Sequence, residues 1–165
     1  MLRLTEIVGH ASDPELAERL HQMAHDGVVE RIHLSRTDLQ RRRQRVLTDR
    51  GNEVALMLDR ASALDNGSVL LLEPARAVMV VLDEPEWLVL RAPHAAGALE
   101  LGYFAGNMHW KVRFEGSCLW VPLEGPREGY VQRLAHLIAR GDAEIIDAPA
   151  VPAGGVRYLA VPHAH

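Results

Sequence analysis

Between Trp87 and Ile146 the chain spells out one order of elements, and few folds satisfy it. Trp87–Leu90 is a short apolar run of strand type. Pro93–Ala105 reads as a helix, with Ala96, Leu99 and Tyr103 at three- and four-residue spacing, loosened by Gly97 and Gly102. Trp110–Phe114 and Cys118–Leu123 read as strands joined by the turn Glu115-Gly116-Ser117. Pro126 opens a second helix, whose Tyr130, Leu134, Leu137 and Ile138 make one apolar stripe and which Gly141 closes. Glu144–Ile146 is the last strand. The order β-α-β-β-α-β is that of the split βαβ, ferredoxin-like arrangement. It sets an α+β class and by itself says nothing of function.

Upstream the pattern is different. Leu2–Val8 reads as a first strand. Ser12-Asp13-Pro14-Glu15 has the spacing of a capping box and opens a short amphipathic helix with Leu16, Leu20 and Met23, which stops at Asp26-Gly27. From Val28 the apolar period shortens to two. Strands are expected around Val29–Leu34, Arg43–Leu47, Glu53–Leu58, Val69–Leu72 and Val78–Leu82. Thr37–Gln40 is a polar connection, and Thr48–Asn52, Asp65–Ser68 and Pro74-Ala75 are turns. Short strands at regular spacing predict a small antiparallel β domain. The acidic, proline-bearing Asp83–Glu86 marks the boundary. The expected organisation is an N-terminal β domain over 1–83, a ferredoxin-like domain over 84–148 and a flexible tail over 149–165.

A chain of 165 residues, 48% hydrophobic and 24% charged, has enough apolar material to bury a core. It has no apolar run of membrane-spanning length, and its N-terminus lacks a signal-peptide pattern, so a cytoplasmic location is expected. The single cysteine, Cys118, excludes an internal disulfide framework and a cysteine-rich zinc site. A formal charge of −4 gives no reason to expect nucleic-acid binding. Arg36, Arg41, Arg42, Arg43, Arg45 and Arg50 form the one basic concentration. No aromatic residues interleave them, so they read first as a solvated strand face and second as a surface for an acidic protein partner.

No nucleophile–base signature and no phosphate-binding glycine loop is present, so the chain does not read as an enzyme. Metal binding by histidine remains. The chain has nine histidines. His21 and His25 lie four apart on the first helix and read as a solvated face. Leu101 to Trp110 reads as a helix end, a Gly106-Asn107 turn expected to stop the helix in the left-handed conformation, then His109, then an aromatic opening a strand. Alone, His109 is an ordinary turn histidine. Two-fold symmetry would bring two copies to one axis, and paired imidazoles suit Ni(II), Cu(II) or Zn(II). His163-Ala164-His165 at the end of the tail could add nitrogens from one side of an extended chain.

Arg43-x-Arg45-x-x-Thr48-Asp49-x-Gly51-x-Glu53-Val54 is followed by Asp65-Asn66-Gly67-Ser68-Val69-Leu70, the β-α-β-β-α-β order, and Leu101-Gly102-Tyr103 leading to Gly106-Asn107-x-His109. Over nearly the whole chain this combination resembles the urease accessory protein E family (UreE), which are nickel metallochaperones. The resemblance implies a non-enzymatic homodimer that carries Ni(II) as cargo, with His109 as the shared ligand and His163 and His165 as weaker candidates. It also implies an N-terminal domain that docks on urease accessory or structural subunits, and delivery through an accessory GTPase to the urease apoprotein. The chain departs from the family pattern at Met108, where many members have arginine, and at Trp110-Lys111-Val112, where many have proline. The Ser12–Gly27 helix looks like an insertion, and with two tail histidines only a few ions per dimer are expected. The competing reading is a protein-interaction module in which metal binding is incidental. A third, an enzyme using His109 as general base, has no second catalytic group to support it.

Overall fold

The computed structural model describes residues 1–147 and the backbone of Arg157–Tyr158. Contacts divide the chain into two compact units, Met1–Pro85 and Glu86–His165.

The first unit contains two sheets. Strands β1 (Leu2–Leu4), β5 (Glu53–Met57) and β4 (Arg43–Leu47) form one, in that order. Strands β2 (Gly9–His10), β6 (Ser68–Glu73), β7 (Arg76–Leu82) and β3 (Val29–Leu34) form the other. Leu4, Val54 and Leu56 meet Ile32, Leu34, Val78 and Val80 in the core between them. Helix α1 (Pro14–His25) covers the opposite face of the four-stranded sheet, packing Leu20 and Met23 on Val29, Val69, Ala77 and Met79. A sheet buried on both faces needs continuous rather than alternating apolar strands, which is why Val78–Leu82 is an unbroken run. A bulge between Val69 and Leu71 resets the alternation. Leu70 and Leu71 thereby both reach the inter-sheet core while Val69 and Leu72 face the helix.

Several local expectations change. Leu2–Val8 is not one strand, because the chain crosses from one sheet to the other between β1 and β2. The antiparallel expectation holds for β2–β6, β6–β7 and β4–β5, but β1–β5 and β3–β7 are parallel. The capping box does not form. Asp13 is the N-cap without a side-chain cap bond, its carboxylate accepts from the His10 amide at 3.0 Å, and Ser12 is buried. Thr37–Gln40 is mostly a short helix, α2 (Arg36–Leu39), capped by Ser35, whose hydroxyl accepts from the Asp38 amide at 3.2 Å.

The turn after β4 is fixed by a residue that the strand pattern conceals. Glu30 of β3 is buried, and its carboxylate accepts from Thr48 Oγ1 at 2.7 Å, Asn52 Nδ2 at 2.9 Å and Arg76 Nε at 2.7 Å. Asp49 pins the same turn to the β3 backbone. It accepts from the Arg31 amide at 2.9 Å and donates its own amide to the Arg31 carbonyl at 2.8 Å. Burial pushes the Glu30 carboxyl up, but the hydrogen bonds from Arg76, Asn52 and Thr48 and the Arg76 charge outweigh it and lower its pKa to about 2.

The second unit has the expected order: β8 (Trp87–Arg91), α3 (Ala95–Asn107), β9 (Arg113–Glu115), β10 (Cys118–Pro122), α4 (Arg127–Ala139) and β11 (Glu144–Ile146). The sheet order is β11-β8-β10-β9, all antiparallel, with β12 (Arg157–Tyr158) added at the β9 edge. Those two tail residues therefore belong to the sheet. Leu88, Leu90, Leu119 and Val121 pack beneath Leu101 and Ala105 of α3 and Tyr130, Leu134 and Leu137 of α4. The stripe expected to anchor α3 is the wrong one. Gly97, Leu101 and Ala105 face inward, and Leu99 and Tyr103 stand in solvent. Gly97 decides this, because a Cβ there would lie 2.4 Å from the Asp142 carbonyl oxygen, so only glycine lets the helix come this close.

Candidate metal centre

Both ends of α3 are anchored. At its start, His94 is the N-cap and its Nδ1 accepts from the Gly97 amide at 3.0 Å. His94 Nε2 lies 3.4 Å from Asp142 Oδ1, and Arg140 Nε holds the other carboxylate oxygen at 3.0 Å. The helix entry is thus tied to the loop after α4.

At its end the helix runs through Asn107 to a right-handed C-cap at Met108. The expected left-handed stop at Gly106-Asn107 does not occur. The left-handed residue is His109, with φ 57°, the one non-glycine residue of positive φ among the described residues. The Trp110 amide donates to the Ala105 carbonyl and the His109 amide to the Gly106 carbonyl, each at 3.0 Å. This is a Schellman cap with histidine where glycine is usual. A side chain in this conformation costs about 1 kcal/mol or more. Trp110 offsets the cost. It does not open a strand as expected, since β9 begins only at Arg113. Its ring is buried against Phe104, with centroids 5.4 Å apart, and Tyr130, at 4.8 Å. Burying an indole contributes several kcal/mol, so Trp110 dictates the chain's exit from the helix and His109 accepts the resulting φ.

His109 itself is exposed. Beside it, α3 presents an uncovered face. Leu99 and Tyr103 are 78% and 77% exposed, and they alternate with Gly102 and Gly106 at helical spacing. A Cβ at either of these glycines would meet nothing within 4 Å. Each glycine costs a helix interior up to about 1 kcal/mol relative to alanine, and packing among the described residues does not require it.

Among the described residues, His, Cys, Asp and Glu nowhere gather in a group of three or more able to hold a metal ion. His21 and His25 lie on α1 in the first unit and His109 in the second, and His163 and His165 lie outside the described residues. Cys118 is a half-buried free thiol in β10. Among the described residues no helix is long and apolar enough to cross a membrane. Sequence reading missed His94 and Glu30. The Pro93 helix start was the available signal for the former, and the isolated charge in an apolar strand for the latter.

Fold and site together define a two-unit α+β protein that presents a surface histidine beside an apolar helix face. Comparison with known proteins places it further. Residues 4–83 match the model of the UreE urease accessory protein, N-terminal domain. The chain is 51% identical over 141 residues to urease accessory protein UreE 1 of Pseudomonas syringae pv. tomato, covering 86% of this chain and 97% of that protein. It is 34% identical to urease accessory protein UreE of Natronomonas pharaonis, covering 77% of this chain and 62% of that one. It is 31% identical to that of Geobacillus kaustophilus, covering 65% and 72%. The chain belongs to the UreE family, which by name are urease accessory proteins.

Proposed function

We propose that this protein is a nickel metallochaperone of urease maturation. It acts as a homodimer in which His109 of each subunit binds one Ni(II) as cargo for insertion into the urease active site. The observation that carries this reading is the C-terminal end of α3. An exposed histidine is fixed in a strained backbone conformation beside a face of Leu99, Gly102, Tyr103 and Gly106 that packing among the described residues leaves uncovered. Backbone strain of this kind persists where the surrounding structure over-determines it, and it collects at functional positions. One imidazole holds a metal weakly. An isologous contact through the α3 faces would bring two together, and the glycines would let the helices approach closely.

Imidazole pairs suit Ni(II) and also accept Zn(II) or Cu(II) in vitro, so selectivity would rest on geometry and supply. His163 and His165 are accessory ligands in this reading. Two imidazoles leave coordination positions open, which suits a carrier that must release its ion. The receiving partners are the accessory GTPase and the urease apoprotein complex, in the cytoplasm.

The test is a calorimetric nickel titration of wild type and His109→Ala at known oligomeric state. The reading expects a site near one ion per dimer that the variant loses. A variant that binds as the wild type does would remove the shared-histidine site and shift attention to His163 and His165.

A further inference from the structure

A second surface lies in the first unit, where β4 begins. Leu39, Leu58 and Leu64 floor an open cavity of about 390 Å³, and Arg36, Arg41 and Arg42 stand around its rim. The floor is fixed, because Leu58 and Leu64 are buried members of the inter-sheet core and Leu39 packs against it. The rim is placed by local structure. Arg36 Nη2 donates to the Glu84 carbonyl at 3.2 Å, Arg41 Nη1 lies 3.5 Å from Asp38 Oδ1, and the Arg42 carbonyl accepts from the Leu58 amide at 2.8 Å. The Arg41–Asp38 pair is exposed and weak, so it offers little resistance to an incoming carboxylate. Asp59, near enough to Arg42 to feel its charge, accepts from the amides of Ala61 and Ser62 and from Ser62 Oγ. The chain as a whole carries −4, so three arginines around one cavity are not a by-product of a basic composition.

We propose that this cavity docks an acidic segment of a partner polypeptide. An aliphatic side chain would fill the leucine floor and flanking carboxylates would meet the arginine rim. Guanidinium groups pair carboxylates bidentately, and an apolar anchor in a pocket ringed by complementary charge is a recurring recognition pattern. A nucleic acid fits less well, because no aromatic side chain lines the cavity to stack a base. The proposal is independent of His109 and of any metal.

The experiment is fluorescence anisotropy on the full chain with a fluorescein-labelled glutamate-rich peptide carrying one central leucine. Three comparisons accompany it: a lysine-for-glutamate peptide, a serine-for-leucine peptide and an unlabelled single-stranded oligonucleotide as competitor. Two variants are read beside the wild type after circular dichroism confirms their folding. Arg36→Glu with Arg42→Glu reverses the rim charge, and Ala63→Trp fills the cavity without changing charge. The expected result is saturable binding of the glutamate–leucine peptide that weakens by about tenfold or more in each variant and with either altered peptide. Absence of saturation by about 1 mM peptide would overturn the proposal, as would equal binding of the lysine peptide or by the folded variants. Displacement by the oligonucleotide at equal concentration would overturn it in favour of a general polyanion surface.

Discussion

The Trp110 amide closes its hydrogen bond on the Ala105 carbonyl at 3.0 Å, and this bond reverses the chain at the end of α3 and leaves His109 with φ 57°. The proposed ligand and the strained residue are the same residue, so the proposed role and stability oppose each other at this position.

Replacing His109 by glycine should therefore raise stability by about 1 kcal/mol, since glycine adopts positive φ without a Cβ penalty. His109→Ala should gain nothing comparable. Urea unfolding of the three proteins as metal-free monomers checks this, and a glycine variant less stable than wild type would show that the side chain supports the cap.

Glu30 should make the fold acid-sensitive in a defined window. Its folded pKa, about 2, lies below its ordinary 4.5. Its contribution is therefore fully present above pH 4.5 and fades as pH falls from there through about 2. The difference corresponds to about 3 kcal/mol. Glu30→Gln should lose stability of this order at neutral pH and show a flatter profile between those limits. Denaturant midpoints across pH measure it, and parallel profiles would remove Glu30 as the cause.

Two glycines of α3 should respond in opposite directions. Gly97→Ala drives a Cβ into the Asp142 backbone and should cost about 1–3 kcal/mol. Gly102→Ala enters open space and should stabilise the isolated monomer by about 0.5–1 kcal/mol. If α3 faces pair across a dimer, the second substitution should also weaken association, read by sedimentation over a concentration series.

His94→Ala should cost about 1 kcal/mol through loss of the cap to the Gly97 amide, and His94→Asn should recover most of it. Thermal unfolding of both variants distinguishes a capping role from a general packing role, in which neither would recover.

The elements that could be read directly from the sequence are those whose cause is local. The Tyr130–Leu137 stripe, Pro126 and Gly141 specify α4 within one stretch, and Asp65–Ser68 marks its turn without help from elsewhere. What escaped depends on distant partners. Glu30 sits in an apolar strand pattern, and Thr48, Asn52 and Arg76 reach it from 18, 22 and 46 residues away. The parallel pairing of β3 with β7 has no local signature. Composition around Leu99 and Tyr103 argued for burial, and only the Gly97–Asp142 contact shows which side of α3 faces in. His109 was singled out by position in a motif, but its backbone conformation could not be read there, because Trp110 and the core behind it decide where the helix ends.

The division into two units, each with its own apolar centre, also makes the molecule optically asymmetric. Trp87, Trp110 and Trp120 all belong to Glu86–His165, and Met1–Pro85 contains no tryptophan. Indole emission therefore watches one unit alone, whereas the circular dichroism of the backbone watches both. Melting curves recorded by the two signals on one sample would show, without labels or dissection, whether the units unfold together.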